Sequence, residues 1–166
     1  LYGAPPAATS VRALLARHRS PEHTYLNLET ADLLRELGYA VDLTPPEVRD
    51  GRGHFVPDLL AVAPAGVTLY VEVETGSGHH SAAQAARKWR VIADHTGGLI
   101  RVVCAHDAAL AGVRAAVEYL AGEYAGRLDA AAGALGAMQQ AAGPGAALDG
   151  LWAWRKVFNA EKEAAG

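Results

Sequence analysis

Residues 57–74 read PDLLAVAPAGVTLYVEVE, two apolar runs separated by a Pro-Ala-Gly turn. Proline and glycine between apolar runs are turn signals, and the second run alternates as a β-strand does. The two runs are therefore predicted to form a β-hairpin. In such a hairpin Asp58, at the start of the first strand, comes close to Glu72, near the end of the second.

Glu72 interrupts a strand that is otherwise apolar. Alternation places Val71 and Val73 on one face of the strand and Glu72 on the other. Because helices cover both faces of the sheet in α/β folds, Glu72 is predicted to be at least partly buried. A buried carboxylate is unfavourable unless it is paired or bound to a metal ion. Two converging carboxylates suit Mg²⁺, which takes oxygen ligands, activates water and neutralises charge on a phosphodiester.

The acidic residues of this hairpin resemble the motif of the PD-(D/E)XK nuclease superfamily, the restriction-endonuclease-like proteins. The motif is read as PD at positions 57–58 and EVE at positions 72–74. The chain departs from the family at Glu74, which stands where a lysine is expected. Some branches of the family carry this lysine on the following helix, and Lys88 is the candidate here. The resemblance covers about residues 22–105, and its motif is short.

The resemblance implies a metal-dependent nuclease in which Asp58 and Glu72 bind Mg²⁺ or Mn²⁺. In many family members an acid from the first long helix completes the metal site, which makes Glu29 a further candidate ligand. Glu74 has two interpretations that the sequence leaves open. It is either an additional ligand or water-positioning base, or a residue at a solvent-facing end of the strand.

The helix after the hairpin carries the other residues that the resemblance implies for catalysis. Lys88 is expected to position the attacking water or to stabilise the charged transition state, with Arg87 as the alternative cation. A solvated position on the helix surface is the competing interpretation of Lys88. Gln84 lies four residues earlier on the same helical face. It resembles the glutamine that RecB-like nucleases carry on this helix, and it is expected to orient water or phosphate.

Basic residues flank the predicted site on both sides. Arg87 and Arg90 lie on the helix after the hairpin, and Arg52 and His54 lie on the segment before Asp58. Such groups hold phosphates and carry little sequence information. The formal net charge of −3 and the pI near 6.2 do not indicate a generally basic surface, so DNA binding would depend on this local charge.

Length and composition indicate one domain with an added helical piece. The chain has 166 residues, of which 51% are hydrophobic, enough for a sizeable core. Its single cysteine, Cys104, excludes an intrachain disulfide and a cysteine zinc cluster, and lies in a predicted buried strand. No run approaches the ~20 apolar residues of a membrane span, and no signal peptide opens the chain, so a cytoplasmic location is expected.

The periodicity along residues 22–125 predicts an α/β core, a mixed β-sheet flanked by helices. This order of elements resembles the common core of the restriction-endonuclease-like proteins, and its strand–helix–strand part is expected to be a parallel crossover. Apart from the hairpin, the predicted elements are a short helix 11–19, a helix 21–37, a strand 39–43, a loop 45–53, a helix 81–95, a strand 99–105 and a helix 108–124.

The two ends of the chain are predicted to lie outside this core. Residues 1–21 are interpreted as a linker with a short helix. Residues 126–166 are interpreted as a helical C-terminal extension, because alanine and glycine dominate its first half. Its helices are predicted over residues 127–140 and over the aromatic and basic segment 151–158.

The preferred function is a metal-dependent nuclease domain that hydrolyses phosphodiester bonds, with DNA as its substrate. The alternative is a catalytically inactive nuclease-fold module for DNA binding or partner docking in a mobile-element, restriction or secretion-associated protein. A structural α/β interaction domain is a third class. Cutting of both strands would favour a homodimer. The chain begins at Leu1 rather than at methionine, so it is expected to be part of a larger polypeptide.

Overall fold

The computed structural model describes residues 11–18, 20–51, 53–76, 81–140 and 151–159. Within these ranges the chain alternates helices with short strands. The elements are α1 (Val11–His18), α2 (Pro21–Glu36), β1 (Ala40–Asp42), β2 (Val48–Asp50), β3 (Gly53–Phe55), β4 (Leu59–Val62), β5 (Thr68–Glu74), α3 (Ala82–Thr96), β6 (Leu99–Cys104), α4 (Asp107–Ala121), β7 (Leu128–Ala134), α5 (Leu135–Gln139) and β8 (Trp154–Phe158).

Six of the strands form one mixed sheet in the order β1-β4-β5-β6-β7-β8. The pairs β1–β4, β4–β5 and β7–β8 are antiparallel, and β5–β6 and β6–β7 are parallel. The chain passes from β5 to β6 through α3, and from β6 to β7 through α4. The predicted α/β class, a mixed sheet flanked by helices, is therefore confirmed, as are the β4–β5 hairpin and the parallel crossover.

Apolar side chains pack on both faces of the sheet. On one face α3 and α4 pack against alternate residues of β6 and β7, around Trp89 and Leu120. On the other face α1 and α2 pack against β4 and β5, around Leu34 and Leu59. Cys104 is buried on the α3–α4 face, where burial raises the pKa of its thiol to about 12. It is thus a core residue, as its strand position predicts.

The ends of α2 and α3 follow the signals in the sequence. Ser20 caps α2 by accepting a hydrogen bond from the backbone N–H of His23. Ser81 and Gln84 form a capping box at the start of α3, and Gly97 ends that helix in the left-handed conformation. These caps set where each helix begins, and therefore which side chains reach the end of the β4–β5 hairpin.

The predicted helix over residues 127–140 is wrong over most of its length. Residues Leu128–Ala134 form β7, and only Leu135–Gln139 are helical. All seven residues of β7 are buried, and the strand pairs with β6 on one side and β8 on the other. Alanine favours a helix by only a few tenths of a kcal/mol per residue, so ladder hydrogen bonds on both sides of a buried strand outweigh that preference.

The predicted helix over residues 151–158 is also wrong, because Trp154–Phe158 form the edge strand β8. Trp154 and Phe158 pack against the α3–α4 face. Their spacing of four residues places them on one side of a helix and equally on one side of a strand, so the pattern alone does not separate the two. The boundary predicted at residue 125 falls within one continuous sheet.

The loop predicted over residues 45–53 contains a further hairpin. Val48–Asp50 form β2 and Gly53–Phe55 form β3, a separate two-stranded sheet. Strands of three residues are too short to show a period of two, which is why the sequence pattern did not indicate them.

Among the described residues, no helix combines the length and the apolar character needed to cross a membrane.

Gly97→Ala and Gly98→Ala are expected to differ strongly in stability. Both glycines have positive φ, but a Cβ on Gly97 meets nothing within 4 Å, whereas one on Gly98 would overlap the backbone carbonyl of Arg127. Gly97→Ala should lower the free energy of unfolding by about 1 kcal/mol through backbone strain alone. Gly98→Ala should lower it by more than ~3 kcal/mol, because the backbone before β7 must move. Urea denaturation measures both; similar losses would contradict the close approach at Gly98.

Candidate functional site

The β4–β5 hairpin brings Asp58 and Glu72 together. Asp58 directly precedes β4, and the register pairs Leu59 with Val71. The backbone N–H of Asp58 donates to Glu72 Oε1 at 3.3 Å, and the N–H of Val73 donates to Asp58 Oδ2 at 2.9 Å. Asp58 is 7% exposed and Glu72 is 3% exposed. The hairpin therefore holds two buried carboxylates next to each other through backbone hydrogen bonds.

Two histidines from the junction of α1 and α2 lie against Asp58. His18 Nδ1 is 3.5 Å from Asp58 Oδ1, and His23 Nε2 is 3.3 Å from Asp58 Oδ2. His23 Nε2 is also 3.1 Å from the carbonyl oxygen of Val73. One possible ligand atom from each of His18, His23 and Asp58 lies within 4.8 Å of the others. The three side chains are thus close enough to share one metal ion.

Sequence reasoning missed both histidines. His18 is the last residue of α1 and His23 lies in the first turn of α2, with the Ser20-Pro21 helix start between them. A separation of five residues matches no metal-ligand spacing on a single helix. The turn between the helices brings the two rings to a centroid distance of 4.8 Å. The available signal was a pair of histidines on either side of a predicted helix break.

Lys88 reaches the same carboxylates from the opposite face of the sheet. Its Nζ lies 3.0 Å from Glu72 Oε2 and 2.6 Å from Glu74 Oε1. Burial disfavours the charged form of Lys88, but Glu72, Glu74 and Asp58 more than offset this and raise its pKa. The lysine therefore stays protonated. The structure thus brings together the lysine and the acids that the sequence predicted to form one site.

The pKa values of Asp58 and Glu72 are shifted in opposite directions. Burial raises the pKa of Asp58, but the hydrogen bond from His23 and the charge of Lys88 outweigh burial and hold that pKa below its usual value. Burial dominates for Glu72 and raises its pKa, even though Lys88 acts in the other direction. Adjacent acids with pKa values displaced in opposite directions are typical of sites that carry out acid–base chemistry.

The two histidines also differ. The hydrogen bond to Asp58 raises the pKa of His23, although burial opposes it. Burial lowers the pKa of His18 despite the nearby charge of Asp58. His18 is therefore a neutral imidazole at neutral pH, which is the form that binds metal ions.

The donor atoms of this group fit a divalent transition metal. Two imidazole nitrogens from His18 and His23 and a carboxylate oxygen from Asp58 form a mixed set, and the oxygens of Glu72 lie beside it. Mg²⁺ prefers sites made of oxygen atoms, whereas imidazole suits transition metals such as Zn²⁺. Of the two ions that the sequence predicts, Mn²⁺ matches the histidine ligands better than Mg²⁺ does. Binding of either ion stays a prediction.

Gln84 and Arg87 lie next to Lys88 on α3. The side-chain oxygen of Gln84 accepts hydrogen bonds from the backbone N–H and the hydroxyl of Ser81. Gln84 and Arg87 also line a cavity that includes Lys88 and Glu74. Gln84 thus caps the helix and contributes to the surface beside the candidate site.

Glu29 does not join the histidine–aspartate group. Its Oε2 accepts a hydrogen bond of 2.6 Å from Gln139 Nε2, at the end of α5. The group of possible metal ligands among the described residues contains no further acid from α2. The predicted role of Glu29 as a ligand therefore lacks support from this geometry.

The flanking basic residues occupy different surroundings. Arg90 forms an ion pair with Glu123 at 3.2 Å, on the side of α3 that meets the end of α4. His54 is exposed and lies 3.7 Å from Glu47. Arg52 lies outside the described residues. Contact of these three residues with DNA stays a prediction.

No protein-family model, curated protein or solved structure matches this chain. The fold and the site define it as an α/β domain with a mixed sheet and a buried group of histidine, acidic and lysine side chains at the end of the β4–β5 hairpin. The nuclease resemblance therefore depends on the residues of that hairpin and of α3.

His18→Ala and His23→Ala should each weaken Mn²⁺ binding, because each removes one nitrogen ligand. We expect a loss of about 10- to 100-fold in affinity per histidine, measured by isothermal titration calorimetry at neutral pH. Asp58→Asn should reduce binding at least as much. His54→Ala is the matched control, because His54 is exposed and is not in the group of possible metal ligands. An equal loss in His54→Ala, or unchanged binding in His18→Ala, would refute the site.

The His23–Asp58 contact should make stability depend on pH in the presence of EDTA. Because the pKa of His23 is raised in the folded protein, its contact with Asp58 stabilises the fold fully at a pH below about 6.5, the pKa of histidine in the unfolded chain. This stabilisation disappears as pH rises through the pKa of His23 in the folded protein. The lowered pKa of Asp58 gives a contribution that disappears only in acid. The stability advantage of wild type over His23→Gln, measured by urea denaturation, should therefore shrink as pH rises above about 6.5. A constant difference would contradict this assignment.

Proposed function

We propose that this chain is a divalent-metal-dependent nuclease domain that hydrolyses phosphodiester bonds, with DNA as its substrate. One observation supports the proposal above the others. The buried Asp58 carboxylate lies against His18 and His23. The backbone N–H of Asp58 donates to Glu72, and Glu72 in turn contacts the Lys88 ammonium. A metal-binding group next to a fixed cation is the combination that hydrolysis of a charged diester requires.

In this proposal His18, His23 and Asp58 hold the metal ion. Glu72 is bonded to the backbone N–H of Asp58 and to Lys88, and so links the ion's ligands to the ammonium. When bound, such an ion lowers the pKa of water and neutralises charge on the phosphate. The backbone N–H of Val73 keeps the Asp58 carboxylate oriented toward the histidines. The chain therefore supplies a pre-oriented site, and little side-chain movement is needed to form it.

Lys88 takes the place of the lysine that the family motif carries on the strand. Its Nζ contacts the carboxylate of Glu72 and stays protonated, so a positive charge is held beside the metal-binding group. Glu74, at the motif position of the lysine, accepts a hydrogen bond from the same ammonium. We infer that Glu74 orients Lys88, and that Lys88 stabilises the negative charge that develops on the phosphate.

One observation favours the catalytically inactive module as a second candidate. The single ammonium of Lys88 is already shared by Glu72 and Glu74, so little of its charge is left for a phosphate. A module of this kind would bind DNA or a protein partner and cut nothing. Cytoplasmic location, a homodimer and membership of a larger polypeptide stay predictions from the sequence.

Lys88→Met should lower DNA cleavage by about 10²-fold, since it removes the ammonium that is held against Glu72 and Glu74. Lys156→Met is the matched control: the two lysine side chains are 44% and 48% exposed, and each pairs with glutamate. Cleavage of supercoiled and linear DNA is measured with Mn²⁺, Mg²⁺ or EDTA. Wild type and Lys156→Met should cut with metal only, and Asp58→Asn should not cut.

The same assay separates the rival functions. Loss of cutting in Asp58→Asn but not in Lys88→Met would keep the nuclease and remove Lys88 from its mechanism. Wild-type protein that binds DNA without cutting it under any metal condition would favour the inactive module. Absence of both DNA binding and metal binding would leave a structural α/β domain.

A further inference from the structure

A cavity of about 530 Å³ lies between α3 and α4, beside the candidate site. It shares Glu74 and Lys88 with that site, so the two are adjacent. Its volume is within the range of about 300–1,000 Å³ that is usual for pockets that bind small organic groups. None of the roles described above explains why this space is open.

The cavity is open because the helix residues that line it are small. Ala85 of α3 and Ala108, Ala109 and Gly112 of α4 contribute to its wall. A Cβ built on Gly112 meets nothing within 4 Å. Glycine inside a helix costs about 1 kcal/mol relative to alanine. No side chain at position 112 fills this recess, so it is open to a ligand.

The polar groups at the cavity are one carboxylate, that of Glu74, which is paired with Lys88, and otherwise hydrogen-bond donors and cations. Arg87 is exposed, and among the described residues its guanidinium has no hydrogen bond or ion pair. The Gln84 side-chain oxygen accepts from Ser81, which leaves its NH₂ group to donate. Lys88 adds the ammonium at the side shared with the candidate site. An apolar wall with donors and cations at its edge matches a nucleobase joined to a phosphate.

We propose that this cavity holds one unpaired nucleotide of a DNA strand, next to the phosphodiester at the metal-binding group. The base would lie on the small side chains of α3 and α4, and Arg87 would hold a neighbouring phosphate. A base within a duplex is stacked on both sides and cannot enter such a cavity. The domain therefore acts on single-stranded or frayed DNA. This inference rests on the proposed function, because it names the substrate form of the same site.

The test fills the cavity with a side chain. Gly112→Leu places a larger group into open space without a backbone clash, and it should also raise the stability of α4. Ala111→Leu is the matched control, because Ala111 is the neighbouring exposed residue of α4 and does not line the cavity. Thermal unfolding of both variants verifies that each is folded.

Binding is measured by fluorescence anisotropy in EDTA, so that neither cleavage nor the metal ion contributes. The probes are a labelled single-stranded oligonucleotide, the matching blunt duplex, and a single strand in which every base is replaced by an abasic unit. Wild type and Ala111→Leu should bind the single strand more tightly than the duplex or the abasic strand. Gly112→Leu should lose about tenfold in affinity for the single strand and little for the abasic strand. Arg87→Gln should weaken binding to both the single strand and the abasic strand, because it removes a contact with phosphate.

Three results would overturn the inference: equal single-strand affinity in Gly112→Leu and Ala111→Leu, duplex binding as tight as single-strand binding, or no binding of the single strand by wild type. The nuclease proposal is tested separately with metal ions. Metal-dependent cutting with an unaffected Gly112→Leu variant would keep the nuclease and reject the cavity. Selective loss of single-strand binding in Gly112→Leu, without cutting by wild type, would keep the cavity and reject hydrolysis.

Discussion

The buried carboxylates of Asp58 and Glu72 are the constraint around which the rest of the site is arranged. A charged group taken out of water is unfavourable by several kcal/mol unless other charges and hydrogen bonds compensate it. Here the compensation comes from both faces of the sheet: His23 from α2 contacts Asp58, and Lys88 from α3 contacts Glu72. Removal of either partner would leave a buried charge uncompensated. The same contacts that create the site therefore also hold α2 and α3 to the β4–β5 hairpin.

The location of the site follows from the topology of the sheet. Ligands of open α/β sheets bind beyond the carboxyl ends of the parallel strands. Glu74 ends β5 and Cys104 ends the neighbouring parallel strand β6, and the backbone N–H of Ala105 donates to the Glu74 carbonyl at 2.9 Å. The helices α3 and α4 begin after these two strands, so the cavity between them opens at the same edge. The cavity thus adjoins the candidate site at Glu74 and Lys88.

The sequence predicted those parts of the fold whose signals are local. Period-two alternation with a Pro-Ala-Gly turn gives the hairpin, so Asp58 and Glu72 could be placed together. Lys88 was added to them through the family resemblance. The alanine- and glycine-rich β7 could not be predicted, because its two neighbouring strands rather than its own side chains make it a strand. The two histidines at Asp58 were missed because the turn between two helices, and no repeat along one helix, brings them into contact.

The charge balance of the site links metal binding to protonation. If Asp58, Glu72 and Glu74 are all ionised and both histidines are neutral, the single ammonium of Lys88 leaves an excess of two negative charges. The raised pKa of Glu72 is consistent with this excess, because burial and the charge of Asp58 both favour its protonated form. A divalent cation supplies the two missing positive charges, so it would lower that pKa and release a proton on binding. In the proposed function, the acids that leave the metal-free site with this excess would favour a divalent ion over a monovalent one.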